Sequence, residues 1–207
     1  MRMLPTGWCR DRLRVAGPAQ PVELGGWTVS ELLTRLKHPG PSWGGGTAGA
    51  IVAAQGCALI VKIAGVARIP IPEAVSLGPD LLVALAEEDQ QAYTAMIRAR
   101  RDPVLYAQKL RESVASSLKI AQLCEQGIQA AADLMATVKP VLRADLLAAF
   151  HLLYAGCQSA LINIETNFNE ADTYGQADRE LLVWWKRRLR ALAREWAAYS
   201  ESPDGDD

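Results

Sequence analysis

The chain has 207 residues, half of them apolar, and its 22 basic residues nearly balance 23 acidic ones. This length suits one domain with a substantial core that needs neither disulfides nor metals for its stability. Because the formal net charge is only −1, no whole-protein field attracts nucleic acid or an anionic membrane. We therefore expect neither a nucleic-acid partner nor a membrane partner.

The first 24 residues show no helical periodicity and lack the apolar stretch of a secretory signal. We expect residues 1–24 to form a poorly ordered extension, residues 25–200 to form one helical domain, and residues 201–207 to form a disordered tail. Thr28 and Glu31 have the spacing of a capping box, which predicts a first helix that ends before Pro39.

Three consecutive glycines, Gly44–Gly46, lead directly into an apolar run from Thr47 to Ala67. Glycines tolerate positive φ and let a ligand come close to the free N–H groups at the start of a helix. The alternative is a flexible corner with no ligand. The run is long enough to cross a bilayer, but Gln55 and Lys62 interrupt it, so it is better read as the central helix of a bundle.

Apolar residues recur at spacings of three and four in four later segments, which indicates four further helices. These run from Pro79 to about Arg101, from Pro103 to about Val138, from about Leu142 to Glu165, and from Asp178 to about Tyr199. The chain is therefore predicted to be all-α, a bundle of about six helices around the Gly/Ala-rich helix. Its last helix is basic, and we expect it to dock through its tryptophans rather than to bind membranes.

The cysteines and histidines do not form a recognisable metal motif. The four cysteines show no C-x-x-C spacing, and three lie in apolar segments, as small core residues of a protein in a reducing compartment do. His38 and His151 belong to no H-E-x-x-H motif. We predict no metal site.

Four polar residues fall at unusual places in the helical pattern. Asp89 lies on an apolar stripe, Asp145 lies near a helix start, and Asn163 and Asn167 share a face near the same helix's end. Each also has an ordinary structural interpretation: a solvated carboxylate at the stripe's edge, a first-turn acid, and a pair of helix caps.

The order of these features resembles the formiminotetrahydrofolate cyclodeaminase and methenyltetrahydrofolate cyclohydrolase family. The family's P-T-P-G-G-G turn corresponds to Pro41-Ser42-Trp43-Gly44-Gly45-Gly46. Its D-x-x-A-F/Y segment corresponds to Asp89–Tyr93, and its N-V-x-x-N motif to Asn163–Asn167. The likeness covers Trp27 to Asp172.

The resemblance implies an all-helical, cytoplasmic homodimer that binds a folate and needs no further cofactor. It implies either hydrolysis of methenyltetrahydrofolate to formyltetrahydrofolate or deamination of formiminotetrahydrofolate. Two alternatives remain: a catalytically degenerate relative that serves as a helical dimeric binding or structural module, and an enzyme that acts on another cationic or amidine substrate.

The resemblance also assigns residues to the site. Asp89 and Asp145 are the predicted catalytic residues, for charge stabilisation and proton transfer. The predicted substrate-binding residues are Ser42, Gly44, Gly45, Gly46, Asn163 and Asn167.

Three departures from the family pattern stand out. Trp43 replaces a proline, Ala144 replaces a serine, and the stretch Arg68–Pro72 replaces a stretch that carries lysine and tyrosine. Trp43 would either crowd the ligand or stack on a planar ring. Together the departures predict altered specificity or lost catalysis.

Overall fold

Seven α-helices make up most of residues 24–39, 43–170 and 174–200, the parts of the chain that a computed structural model describes. The helices are α1 (Val29–Leu36), α2 (Gly45–Ala67), α3 (Glu73–Ser76), α4 (Gly78–Arg98), α5 (Pro103–Met135), α6 (Pro140–Glu170) and α7 (Gln176–Ser200). The all-α class is confirmed. The six predicted helices correspond to all of these except α3, a single turn that follows Pro72 and that the sequence analysis missed.

Local capping explains where several helices begin. Thr28 Oγ1 accepts a hydrogen bond from Glu31 N (3.3 Å), and Glu31 Oε2 accepts one from Thr28 N (2.7 Å), so the predicted capping box is present. The Asp102 carboxylate caps α5 by accepting hydrogen bonds from Val104 N and Leu105 N. Helix α6 starts at Pro140, two residues earlier than predicted, because proline is tolerated in a first turn where its missing N–H is not needed.

Four long helices form the bundle. Helix α2 packs between α4 and α6, and α5 packs against both α4 and α6 on the far side. Helix α7 lies outside this bundle, on α6 and α5. It docks as predicted, through buried Trp185 and Trp196, while Trp184 faces solvent. Trp196 stacks on Phe150 with 4.6 Å between the ring centroids.

Helices α2 and α6 approach each other closely because small residues line their contact. A Cβ on Gly156 would lie 2.7 Å from both Gly49 O and Ala53 Cβ, and a Cβ on Gly56 would lie 2.8 Å from Leu153 Cγ. Real Cβ atoms do not come so near, so these glycines set the distance between the two helices.

The same two helices, α2 and residues Pro140–Asn169 of α6, are long and apolar enough to cross a membrane, among the described residues. Both are core helices of the bundle, and in each 44% of the most apolar window is buried. Their outer faces therefore present apolar residues that this chain alone does not cover.

Three cysteines from three helices lie in the core. Burial raises the pKa of Cys57 to about 11 and that of Cys157 to about 12. The pKa of Cys124 is also raised, by burial and then by its neighbours Cys157 and Cys57. All three are free thiols, so they act as small core residues, as the sequence indicates.

The predicted chain ends fall mostly outside the described residues, which begin at Leu24 and stop at Ser200. Leu24 itself is buried against the core, so the helical domain includes this last residue of the predicted extension.

Candidate functional site

The carboxylate of Asp89, on α4, meets the start of α2 and the later part of α6. A Cβ placed on Gly46 would lie 2.6 Å from Asp89 Oδ2 and 2.1 Å from Asn163 Nδ2. The absent side chain of Gly46 is thus what leaves room for both polar groups. We call Gly46, Thr47, Asp89, Ser117 and Asn163 the Asp89 cluster.

Asp89 is only 6% exposed, so the solvated-edge interpretation is wrong. Burial raises the pKa of its carboxyl from 3.8 to about 6, and the hydroxyls of Thr47 and Ser117 oppose that rise. Thr47 Oγ1 lies 3.4 Å from Asp89 Oδ2, long for such a hydrogen bond. Ser117 Oγ is buried and has no hydrogen-bond partner among the described residues. It lies close enough to the Asp89 carboxylate to lower its pKa, but not at hydrogen-bond geometry.

The start of α2 offers free donors beside this carboxylate. The first hydrogen bond of the helix runs from Ala48 N to Gly44 O (3.0 Å), which leaves the N–H groups of Gly45, Gly46 and Thr47 without partners inside the helix. No described glycine has positive φ. Of the three glycines, only Gly46 lies where a Cβ would clash, so it serves by the space it leaves rather than by the left-handed backbone that the sequence analysis allowed for.

Asn163 and Asn167 both lie within α6, which continues to Glu170, so the capping interpretation is wrong. Asn163 belongs to the Asp89 cluster. Asn167 is buried one turn further along and donates to Ser113 Oγ of α5 (3.3 Å).

Sequence reasoning missed the hydroxyl residues of this region. Thr47, Ser113 and Ser117 are all buried. A usable signal was present in the sequence, because the inward stripe of α5 contains serines four residues apart among its leucines and valines. Small buried hydroxyls on a core stripe need a partner, and a polar site supplies one.

The structure does not bring Asp145 to the cluster within one chain. Asp145 Oδ2 pairs with Lys62 Nζ at 2.9 Å, and the Lys62 and Asp145 side chains are 60% and 42% exposed. Lys62 lies fifteen residues after Thr47 on the same helix, so about 22 Å of helix separates this ion pair from the Asp89 cluster.

Other predicted positions are distributed as follows. Ser42 lies outside the described residues. Gly45 O accepts a hydrogen bond from Ser159 Oγ (2.5 Å), which ties the turn to α6. Arg68, the first residue of the stretch that departs from the family's lysine- and tyrosine-bearing pattern, caps the far end of α2 in the left-handed conformation (φ 57°). It is therefore distant from the Asp89 cluster within this chain.

A buried carboxylate with a pKa near neutrality can both offset a cation and exchange a proton. Free helix N–H groups and an amide beside it can orient a polar ligand or a water molecule. The cluster thus suits attack of water or an amine on a cationic or amidine carbon.

Comparison with known proteins identifies the family. The sequence profile of the formiminotransferase-cyclodeaminase family matches residues 28–179, well over half of the chain. This chain belongs to the formiminotransferase-cyclodeaminase family. Membership identifies a folate-related protein of the cyclodeaminase type. The matched range includes every residue of the Asp89 cluster.

The fold of this family member is also found in a solved structure. The chain is similar to formiminotetrahydrofolate cyclodeaminase from Thermotoga maritima, with a TM-score of 0.70 and 20% sequence identity over 84% of this chain and 93% of that one. At this identity the likeness supports the fold alone. No curated protein matches the sequence.

Proposed function

We propose that this family member is an enzyme of tetrahydrofolate one-carbon metabolism, which hydrolyses methenyltetrahydrofolate to formyltetrahydrofolate or deaminates formiminotetrahydrofolate. The observation that carries the proposal is the buried Asp89 carboxylate against Gly46 and Asn163. A group with a pKa of about 6 is present in both protonation states near neutral pH, as a proton-transfer residue requires.

For hydrolysis, the oxygen of a water molecule bonds to the bridging carbon while Asp89 accepts a proton. The resulting carbinol loses its hydroxyl proton as the C=O bond forms, the C–N5 bond breaks, and N5 takes up a proton. One proton is released overall, and the negative carboxylate offsets the substrate cation before attack. The Asn163 amide would position the water or the pterin.

For deamination, N10 attacks the formimino carbon and its proton passes to the imino nitrogen, and ammonia leaves as that nitrogen takes up a second proton from an acid. The protonated form of Asp89 would supply that proton, and burial makes this form accessible near pH 6. Only one carboxylate lies in the cluster, so the same residue would have to serve both sides of the reaction unless a second subunit contributes.

Absorbance of methenyltetrahydrofolate distinguishes the two reactions. Purified protein that hydrolyses this compound lowers its absorbance faster than buffer does. Protein that deaminates formiminotetrahydrofolate raises the same absorbance as the methenyl product forms. Asp89→Asn is the matched control, and equal rates for wild type and this variant in both assays would contradict the proposal.

A second candidate is a catalytically degenerate relative that retains only binding or structural roles. The observation that favours it is the position of Asp145, which forms a surface ion pair far from Asp89. Tight binding of a folate without turnover in either assay would support this candidate.

We further propose that the chain acts as a homodimer in the cytoplasm. Less than half of the most apolar window of α2 and of α6 is buried within this chain, and Val66 of α2 and Ile162 of α6 are 64% and 61% exposed. A second copy that covers this apolar helix surface would form a protein interface. The free thiols in the core fit a reducing compartment.

A further inference from the structure

Two tryptophans and an arginine gather next to the triple-glycine turn. The rings of Trp27 and Trp43 are in edge contact, with 4.8 Å between centroids and 60° between planes. Arg35 Cζ lies 4.3 Å from the centroid of the Trp27 ring. We call Trp27, Trp43 and Arg35 the Trp27–Trp43–Arg35 group.

Two connections place this group beside the Asp89 cluster. From one side, Trp43 comes three residues before Gly46 in the chain. From the other side, the backbone N–H of Leu24 donates to the Glu87 carboxylate, two residues before Asp89 on α4. The 3₁₀ turn that starts at Leu24 leads directly into the first tryptophan.

Exposure increases outward from the cluster through this group. Asp89 is buried, both tryptophans are half-buried, and Arg35 is exposed. No ion pair within 4.0 Å involves Arg35 among the described residues. Its guanidinium is held in place by the Trp27 ring and has the Glu31 carboxylate, one turn earlier, as an electrostatic neighbour. Because no ion pair closes on it, the guanidinium remains accessible to an anion from solvent.

We propose that the Trp27–Trp43–Arg35 group determines specificity for the arm of a folate that extends beyond the one-carbon unit, with the indole rings packing on its aminobenzoyl ring and Arg35 binding a glutamate carboxylate. This inference rests on the proposed function. In the methenyl substrate the reacting carbon is bonded to N10, and in the formimino substrate N10 attacks that carbon. N10 carries the aminobenzoyl ring, and the ring carries the glutamate. This order along the substrate matches the order of the protein groups: the buried Asp89 carboxylate, the half-buried Trp27–Trp43 pair and the exposed Arg35 guanidinium.

The group also gives the change at Trp43 a physical role. A proline at this position offers a small apolar surface, whereas an indole offers a large flat one that stacks on aromatic rings. The pair Trp27–Trp43 fixes that indole before the ligand arrives, which lowers the entropy lost on binding.

The test is calorimetric titration of the full chain with two probes: 5-formyltetrahydrofolate, and a 5-formyltetrahydropterin that lacks the aminobenzoylglutamate arm. Trp43→Ala should weaken binding of the full folate about tenfold, and Trp43→Phe should retain most of the affinity because it keeps a ring. Arg35→Gln should weaken binding of the full folate about fivefold and leave the armless pterin unchanged. Trp184→Ala and Arg187→Gln, on α7, are matched controls that should bind as wild type does.

The outcomes separate this inference from the proposed function. Wild-type affinity for the full folate in both Trp43→Ala and Arg35→Gln would overturn the inference and leave the proposed function standing. The absence of wild-type binding to either probe would overturn both. Should Trp43→Ala fail to fold, Arg35→Gln decides, since its exposed side chain does not contribute to the core.

Discussion

Gly46 is the position where one methyl group would most disturb the site. Its missing Cβ leaves the space that the Asp89 carboxylate and the Asn163 amide occupy. Both are the ends of flexible side chains, so they can be displaced without moving the backbone. The chemistry of the site and the stability of the fold therefore respond differently at this residue.

We expect Gly46→Ala to lower turnover about a hundredfold, because displacing a reacting group by about 1 Å has an effect of that size. Its free energy of unfolding should change by less than about 1 kcal/mol, since alanine favours helix. Gly65→Ala is the matched control, because it lies near the far end of the same helix and nothing lies within 4 Å of its Cβ position. Steady-state rates and urea unfolding provide the measurements. Equal rates in the two variants would remove Gly46 from the site.

The pKa of Asp89 links stability to pH. The folded protein holds this proton more tightly than the unfolded chain, since burial raises the pKa from 3.8 to about 6. The stability contributed by protonation is therefore complete below about pH 4 and is lost as pH rises through about 6, by about 2–3 kcal/mol. Asp89→Asn removes this dependence. Urea titrations at pH 4.5 and pH 8 should show the variant gaining stability over wild type at pH 8, and a constant difference would contradict a buried, titrating Asp89.

Activity should follow the same titration. If carboxylate is the reactive form in hydrolysis, kcat/KM should rise with pH through about 6 in wild type, because deprotonation creates the base. Asp89→Asn should be inactive at every pH. A rate profile with its inflection well away from pH 6 would show that another group limits the reaction.

At the scale of elements, the contact between α2 and α6 positions the site. The two helices carry the triple-glycine turn and Asn163, and their distance is set by glycines that tolerate no Cβ. The capping of each helix is local, but this distance is a property of the pair. A change at the contact should therefore affect both stability and the site.

We expect Gly156→Ala to lower the free energy of unfolding by about 1–3 kcal/mol, because its new methyl group would overlap Gly49 O and Ala53 Cβ. The matched control is Gly65→Ala on α2, because nothing lies within 4 Å of its Cβ position. That variant should be as stable as wild type or up to about 1 kcal/mol more stable. Urea unfolding measures both, and similar stabilities would show that the two helices are free to separate.

At the scale of the whole molecule, one kind of dimer would explain both the position of Asp145 and the uncovered apolar face of α2 and α6. A two-fold axis perpendicular to α2 would run two copies of this helix antiparallel. The Lys62–Asp145 end of one copy would then approach the triple-glycine turn of the other. Such a dimer would unite the two acids that one chain keeps apart.

Subunit mixing tests this arrangement. If it holds, Asp89→Asn and Asp145→Asn are each inactive alone, and an equal mixture after exchange recovers about a quarter of wild-type activity, because half of the dimers carry one intact site of two. Lys119→Gln, which removes a similar surface ion pair to Glu88, is the control for a general effect of lost charge. Full activity of Asp145→Asn alone would exclude Asp145 from the site.

Sequence alone determined the six longer helices, the capping box of α1 and the place of Asp89 on an apolar stripe, because capping boxes, proline positions and the 3.6-residue period act over only a few residues. It also indicated the family, because several of the family's short motifs occur in this chain in the same order. Only the tertiary structure decided which distant groups meet. Gly46, Asp89 and Asn163 converge, Ser117 joins them, and Asp145 does not, because the register between packed helices depends on the shapes of whole contact surfaces. That register is set by interlocking side chains from several segments, and no local pattern records it.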